Sequence, residues 1–205
     1  MTSFVHLKLH TEYSLIDGLL RIKPAMARVA ELAMPAVAIT DHHNFFGLLK
    51  AYKAAAAQGI KLIVGADLHV IDPNDQERHH ELCLLAQNEC GYQNLMLLLS
   101  EAYQQGQFLG RPRVRLDWVQ AHSDGLIALS GGRQGDVGQA LLHGREDDAR
   151  SALQRWLQWF PNRYYLELQR TGRSDEEEYV HAAVRLANEY ACPAGRVCAK
   201  PVFNQ

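Results

Sequence analysis

The first apolar positions of the chain alternate. Between Phe4 and His10, Val5, Leu7 and Leu9 fall on one side and His6, Lys8 and His10 on the other. A period of two predicts a strand with one polar row. From Pro24 to Leu32 the apolar spacing becomes helical, with Pro24 in the first turn, where a proline is tolerated. A short apolar strand is predicted over Ala36–Thr40 and an Ala-rich helix over Phe46–Gln58. Gly59 closes that helix at the usual place of a left-handed C-cap, and Ile60–Val64 is the next strand.

This β-α-β-α-β alternation favours a parallel sheet, open or closed into a barrel, with functional groups gathered at the C-terminal strand ends. Further on, Asp72–Arg78 reads as a polar turn region, Glu81–Ala86 as a strand and Tyr92–Tyr103 as a leucine-rich helix. Gln105–Arg115 reads as an irregular loop. Gly125–Ser130 is a short strand running into Gly131, Gly132 and Gly135, and Asp136–Leu142 is a helix. Asp147–Phe160 is an amphipathic helix, Tyr164–Gln169 a strand, and Ser174–Tyr190 a helix whose acidic first turn suits the macrodipole. Trp156, Leu157 and Phe160 are expected in the core. No repeat, low-complexity tract or linker interrupts the 205 residues, which predicts a single domain over 1–205.

Composition changes the picture little. Hydrophobic residues at 47% and charged residues at 21% are those of a globular chain, and a net charge of −2 gives no electrostatic basis for tight, sequence-independent DNA binding. Arg111, Arg113 and Arg115 form a local basic patch that could touch DNA or a partner, although a solvated loop explains them equally well. Cys83, Cys90, Cys192 and Cys198 show no CxxC spacing, no secretory segment precedes the first motif, and no apolar run is long enough to span a membrane. A soluble, cytoplasmic protein is expected.

Candidate chemistry falls at the predicted strand ends: His10 after the first strand, Asp41 and His42 after the second, Asp67 after the third. Imidazoles and carboxylates brought together at one barrel mouth are the donors that zinc, manganese or iron centres use to hydrolyse phosphoesters. Taken singly, each has an ordinary structural role available, because such histidines bond to backbone and Asp caps helices. His43 and His69 read as surface or capping residues.

The motif V-H-L-K-L-H-T-E-Y-S-L-I-D-G at residues 5 to 18 resembles the opening of the PHP (polymerase and histidinol phosphatase) domains of bacterial DNA polymerase III α subunits. M-P-A-V-A-I-T-D-H at 34 to 42, G-I-K-L-I-V-G-A-D at 59 to 67, L-L-A-Q-N-E-C-G-Y-Q-N-L at 84 to 95, G-L-I-A-L-S-G-G-R-Q-G at 125 to 135 and R-Y-Y-L-E-L-Q-R-T-G-R at 163 to 173 follow in register. The match runs from about residue 4 to about residue 191. It implies a distorted seven-stranded (β/α) barrel at the front of a longer polymerase whose palm, fingers and DNA-binding parts are absent here. It also implies a metal cluster supporting phosphoesterase or proofreading exonuclease activity, onto which His10, Asp17 and His42 match directly. Asp67 stands where the family usually has Glu.

The departures are as informative. The resemblance implies that members with an intact site have His at the positions of Lys8 and Glu81, Cys or His at that of Gly132, and commonly His at that of Thr171. His80 adjoins Glu81, but a one-residue offset turns it to the opposite face. After residue 191 the expected apolar strand gives way to C-P-A-G-R-V-C-A-K-P, whose glycine and prolines disfavour a strand, so 192–205 reads as a divergent or truncated tail. His10, Asp17, His42 and Asp67 are therefore read as vestigial metal positions, with no cofactor expected or, where the remnant still binds, zinc or manganese. Lys8 is expected to take the place of a cation against Asp17 or Asp67.

The function expected is that of a catalytically inactive scaffold of the polymerase, joined to the remainder of the α subunit. It would dock the proofreading exonuclease subunit and meet DNA only through the full-length polymerase. The alternative is a metal-dependent phosphoesterase or 3′–5′ exonuclease working with the reduced ligand set.

Overall fold

A computed structural model describes residues 4–73, 75–170, 172 and 176–199. Seven α-helices and six strands are seen among them. α1 (Ile22–Glu31), β1 (Ala36–Ile39), α2 (Leu48–Ala56), β2 (Lys61–Asp72) and β3 (Asp75–Ala86) come first. α3 (Glu89–Gln104), α4 (Leu116–Ala121), β4 (Leu126–Leu129), α5 (Asp136–Leu142), α6 (Glu146–Trp159), β5 (Tyr164–Arg170), α7 (Glu176–Glu189) and β6 (Ala194–Ala199) follow. All the helices but α4 form where the sequence reading placed them. α1 buries Ile22, Ala25, Met26 and Val29 as one stripe, and the Asn88 side chain caps α3 by accepting from Gly91 N.

The strands form one curled mixed sheet in the order β1-β2-β3-β4-β5-β6. The α/β class holds, but the sheet is not all parallel: β1–β2, β4–β5 and β5–β6 are parallel, whereas β3 runs antiparallel to both neighbours. The reason is local. β2 ends at Asp72 and β3 begins at Asp75, which leaves no length for a crossover helix, and so short a connection can join only antiparallel strands. The hairpin extends well past Val64 and begins its return at Asp75, inside the stretch expected to be turn.

The first expected strand becomes an extended segment beside the free edge of β1. Ala38 N donates to His6 O (2.8 Å) and Thr40 N to Leu9 O (2.9 Å), which supplies a seventh strand position. The last segment departs the other way. Despite its glycine and Pro193, the chain forms β6 and pairs in parallel with β5 across a bulge at Leu168/Gln169, correcting the expectation of a broken strand. Thr171, Asp175, Lys200 and Pro201 lie outside the described residues.

Strand alternation divides the interior. Ala66, Leu68, Val70, Leu82 and Leu84 face the main core with α3, α5 and α6, where Trp156 is buried and stacks on Tyr164 at 6.0 Å. Trp156 Nε1 donates to Asp136 at 2.9 Å. The other face of the sheet carries Ala38, Cys83, Leu85 and Leu129 as a small apolar floor. Above that floor the same face turns polar. Arg113 does not join a basic patch: it is buried, stacks over Phe108 at 4.2 Å and donates to Gln76 O, while Arg115 pairs with Asp117.

Candidate functional site

On β2 and β3, the alternation that sends Leu68 and Leu82 outward sends Asp67, His69, Glu81 and Cys83 to the concave side, where Asp67 pairs with Cys83 and His69 with Glu81. His80, one residue off, bonds to Asp72 at 2.9 Å instead, as the offset requires. The edge segment brings Lys8 and His10 over the same floor. Beyond β1, His42 bridges in parallel to Asp67, and His43 N donates to Asp67 O.

At the centre lies Asp67, 0% exposed. Its Oδ2 receives Lys8 Nζ at 3.0 Å and His10 Nε2 at 2.5 Å. Lys8 also lies 3.4 Å from Glu81 Oε2 and 3.9 Å from Glu167 Oε1. The lysine thus pairs with Asp67, as expected, but not with Asp17. Burial opposes its charge, yet Asp67, Glu167 and Glu81 outweigh burial and hold its pKa well above the usual lysine value. For Asp67, burial would raise the carboxyl, but Lys8, His10 and His42 pull it well below the ordinary range. Burial, with the Asp67 charge close by, pushes Glu167 up. Against burial, the bond to Asp67 raises His10.

The four sequence candidates are not equivalent. His10, His42 and Asp67 converge, with one donor atom of each within 4.8 Å of the others and the His10 and His42 rings 4.3 Å apart. Asp17 stands at the rim, exposed, touching the group only through His42 Nε2 at 3.5 Å. Asp41, the other strand-end carboxylate, is a structural clasp: it accepts from Thr11 N, Thr11 Oγ and Ser14 Oγ at 2.6–2.8 Å and so fixes the 3-10 turn Glu12–Asp17.

Glu167, Gln169 and His79 were not singled out in the sequence, and His43 and His69 were read there as surface or capping residues. Glu167 is fully buried and accepts from Gln169 Nε2, and Gln169 fills the space beside Gly132, where an added Cβ would meet it at 3.2 Å. A glutamate set among Tyr164, Leu166 and Leu168 was the available signal. His43 and His69 are not surface caps. His43 is 5% exposed, its ring 4.4 Å from that of His69, which in turn packs on His79 at 4.1 Å. Burial, reinforced by His42, pushes His43 down to about 4, and burial with His43 and His79 pushes His69 down to about 3, so both are neutral imidazoles at ordinary pH.

A PHP domain model matches residues 6–171. The chain belongs to the PHP-domain family. It is 48% identical over 191 residues to the DNA polymerase III subunit alpha of Pseudomonas aeruginosa and 50% identical over 191 residues to that of Escherichia coli K12, each match covering 93% of this chain. It spans 16% of the length of either relative, and the matched part is their N-terminal region. Among solved structures, the chain superposes on a protein from Bifidobacterium adolescentis classed as a metal-dependent phosphoesterase, with TM-score 0.65 and 11% identity, covering 100% of this chain and 92% of that one. An amidohydrolase from Chromobacterium violaceum gives TM-score 0.59 at 16% identity, covering 96% and 87%. At such identities the likeness is one of fold.

The metal cluster implied by the PHP family does not fit the donors present. An ammonium sits among Asp67, Glu81 and Glu167, where carboxylates would otherwise gather around a cation, and Gln169 occupies the side of the mouth opened by Gly132. Among the described residues, His10, His42 and Asp67 form a three-donor group.

Proposed function

We propose that the chain is the PHP region of a replicative DNA polymerase α subunit, and that its concave site is an internal ion-pair scaffold, not a hydrolytic centre. The observation that carries this is the 3.0 Å contact of Lys8 with Asp67, flanked by Glu81 and Glu167. One ammonium, with His10 beside it, offsets part of the charge of the carboxylates that would otherwise call for metal, and it does so without an exchangeable ion. His10, Asp17, His42 and Asp67 are on this reading the remnant of a ligand set. The chain then serves to stabilise the remainder of the α subunit and to seat a proofreading exonuclease subunit, meeting DNA only within the full polymerase in the cytoplasm.

An exposed apolar group supports the docking role. Leu15 lies in the 3-10 turn and Leu19 just after it, and Phe46 and Leu49 stand at the start of α2, which is tied to that turn by the Lys50–Glu12 ion pair. Exposed large apolar side chains on two elements tied together in this way are the kind of surface that marks interaction sites. The alternative, a phosphoesterase or 3′–5′ exonuclease with a reduced site, is favoured only by the convergence of His10, His42 and Asp67.

The two readings part in a phosphoesterase and exonuclease assay with added manganese or zinc. The scaffold reading expects no metal-stimulated turnover, and none after Lys8→His alone, because Glu81 and Gly132 still stand in place of ligands. Turnover that is abolished by His10→Ala overturns it. For docking, Phe46→Glu is expected to weaken binding of the cognate exonuclease subunit with the far-ultraviolet spectrum unchanged, and undiminished binding sinks that part of the reading.

A further inference from the structure

The mouth holds a second group of donors that the ion-pair scaffold does not use. We propose that His42, His43 and His69 form an all-imidazole site for a zinc-type divalent cation, set to one side of the carboxylates that Lys8 neutralises.

One ring nitrogen from each of the three lies within 4.8 Å of the other two, so that small rotations bring them to a shared ion at the Zn–N distance of roughly 2.0–2.1 Å. The backbone brings them together by two devices. The parallel bridge between His42 and Asp67 puts the end of β1 alongside β2, and His69 lies two residues beyond Asp67, hence on the same face. His43 then adopts φ 54°, a left-handed conformation unusual for a residue other than glycine, at the point where it turns into the group.

His43 supplies the independent sign. The residue is 5% exposed, and neither ring nitrogen has a hydrogen-bond partner among the described residues. His42 Nδ1 and His69 Nδ1 are likewise buried without a partner there. Buried polar atoms are ordinarily bonded, and three neighbouring imidazoles each leaving a nitrogen unused constitute a donor set awaiting an acceptor of lone pairs. A cation meets that requirement for all three together.

The donor type fixes the class of ion. Neutral imidazoles with no carboxylate among them suit zinc, nickel and copper, and they discriminate against magnesium and manganese, which prefer oxygen. The ring of His79, packed on His69, borders the group on its exposed side, and a three-ligand arrangement leaves one position of a tetrahedral ion open. This goes beyond the scaffold reading and does not depend on it, since no carboxylate paired with Lys8 takes part.

The test is calorimetric titration of the chelator-treated chain with zinc chloride and, separately, manganese chloride, with cobalt(II) absorption as the spectroscopic signature of imidazole ligation. One equivalent of zinc is expected, and no comparable uptake of manganese. His43→Gln and His69→Gln should each lower zinc affinity by more than the roughly 10–100-fold that loss of an outer-shell partner costs, while His10→Gln leaves it within a few-fold. The exposed side of His69 makes its variant the decisive one should His43→Gln fail to fold, as judged by circular dichroism. Absence of stoichiometric zinc binding overturns the proposal, as does binding lost in His10→Gln but kept in His69→Gln, which would assign the ion to His10, His42 and Asp67. Failure of the scaffold reading would show instead as turnover in the phosphoesterase assay, whatever the titration gives.

Discussion

Lys8 and His10 converge on a single oxygen, Asp67 Oδ2, from adjacent inward positions of the same extended segment. Two donors on one buried oxygen make the edge segment inseparable from the sheet: Asp67 holds the segment's side chains, while β1 holds its backbone.

Replacing Lys8 with methionine keeps its length and removes its charge. Asp67, Glu81 and Glu167 then face one another with only His10 as counter-charge. Breaking a buried pair by removing one partner costs about 3–5 kcal/mol, and Lys8→Met is expected in that range by urea unfolding at neutral pH. The deficit should shrink as the pH is lowered and the carboxylates take up protons. A loss that is independent of pH would show that Lys8 contributes by packing alone.

The carboxylates around Lys8 should respond to neutralisation in opposite senses. Asp67 is held well below the ordinary range, so its charged form is favoured by the fold, and Asp67→Asn should destabilise strongly at neutral pH. Glu167 is pushed up by burial and by Asp67, so its charge is disfavoured by the fold above its unfolded pKa. Glu167→Gln should then cost less than about 1 kcal/mol or stabilise. Equal losses in the two variants, measured by chemical denaturation, would contradict this division of charge.

His43 and His69 contribute to the acid limb of the stability curve. Their folded-state pKa values, about 4 and about 3, lie below the unfolded value of 6.5. Between those limits the unfolded chain binds protons that the folded chain does not, so stability falls as pH drops through 6.5 toward 4. The slope is at most about 1.4 kcal/mol per pH unit for each group. His10 works the other way: with its pKa raised by Asp67, its contribution is full below 6.5 and lost as pH rises through the folded value. In His69→Gln the acid slope measured between pH 6.5 and 4 should be visibly shallower, and an unchanged slope would remove His69 from this account.

Much of the scaffold was legible because burial there follows periodicity. Asp136–Leu142 was read with its bounds, and α1, β1 and α6 to within two residues. Failures came where pairing, not pattern, makes the element. The outer half of β3, from Asp75 to His79, is polar on both faces and has no alternation to see. It is a strand because it pairs with β2. β6 forms against β5 in the same way, despite its glycine and the proline before it. α4 buries only Val119 and offers no stripe. In the site, His10, His42 and Asp67 could be named because they end predicted strands. His43, His69 and Glu167 could not, because their inward direction depends on a hairpin that runs past Val64 and on a glutamate buried within an apolar strand.

The main core can be tested away from the mouth through Trp156. It is 2% exposed, stacks on Tyr164 and donates Nε1–H to Asp136, which also accepts from Arg155 at 2.6 Å. Trp156→Phe preserves an aromatic face but removes the donor, leaving Asp136 with Arg155 and the Val137 N–H, and is expected to cost about 1–3 kcal/mol. Trp156→Ala removes the ring as well and should cost about 3–5 kcal/mol. The gap between the two variants in urea unfolding therefore reads the packing of the ring separately from its hydrogen bond. Because α6 lies on the convex side of the sheet, neither variant should alter zinc titration so long as it remains folded. A Trp156→Phe protein as unstable as Trp156→Ala would mean that the Asp136 bond, and not the stacked ring, holds α6 against β5.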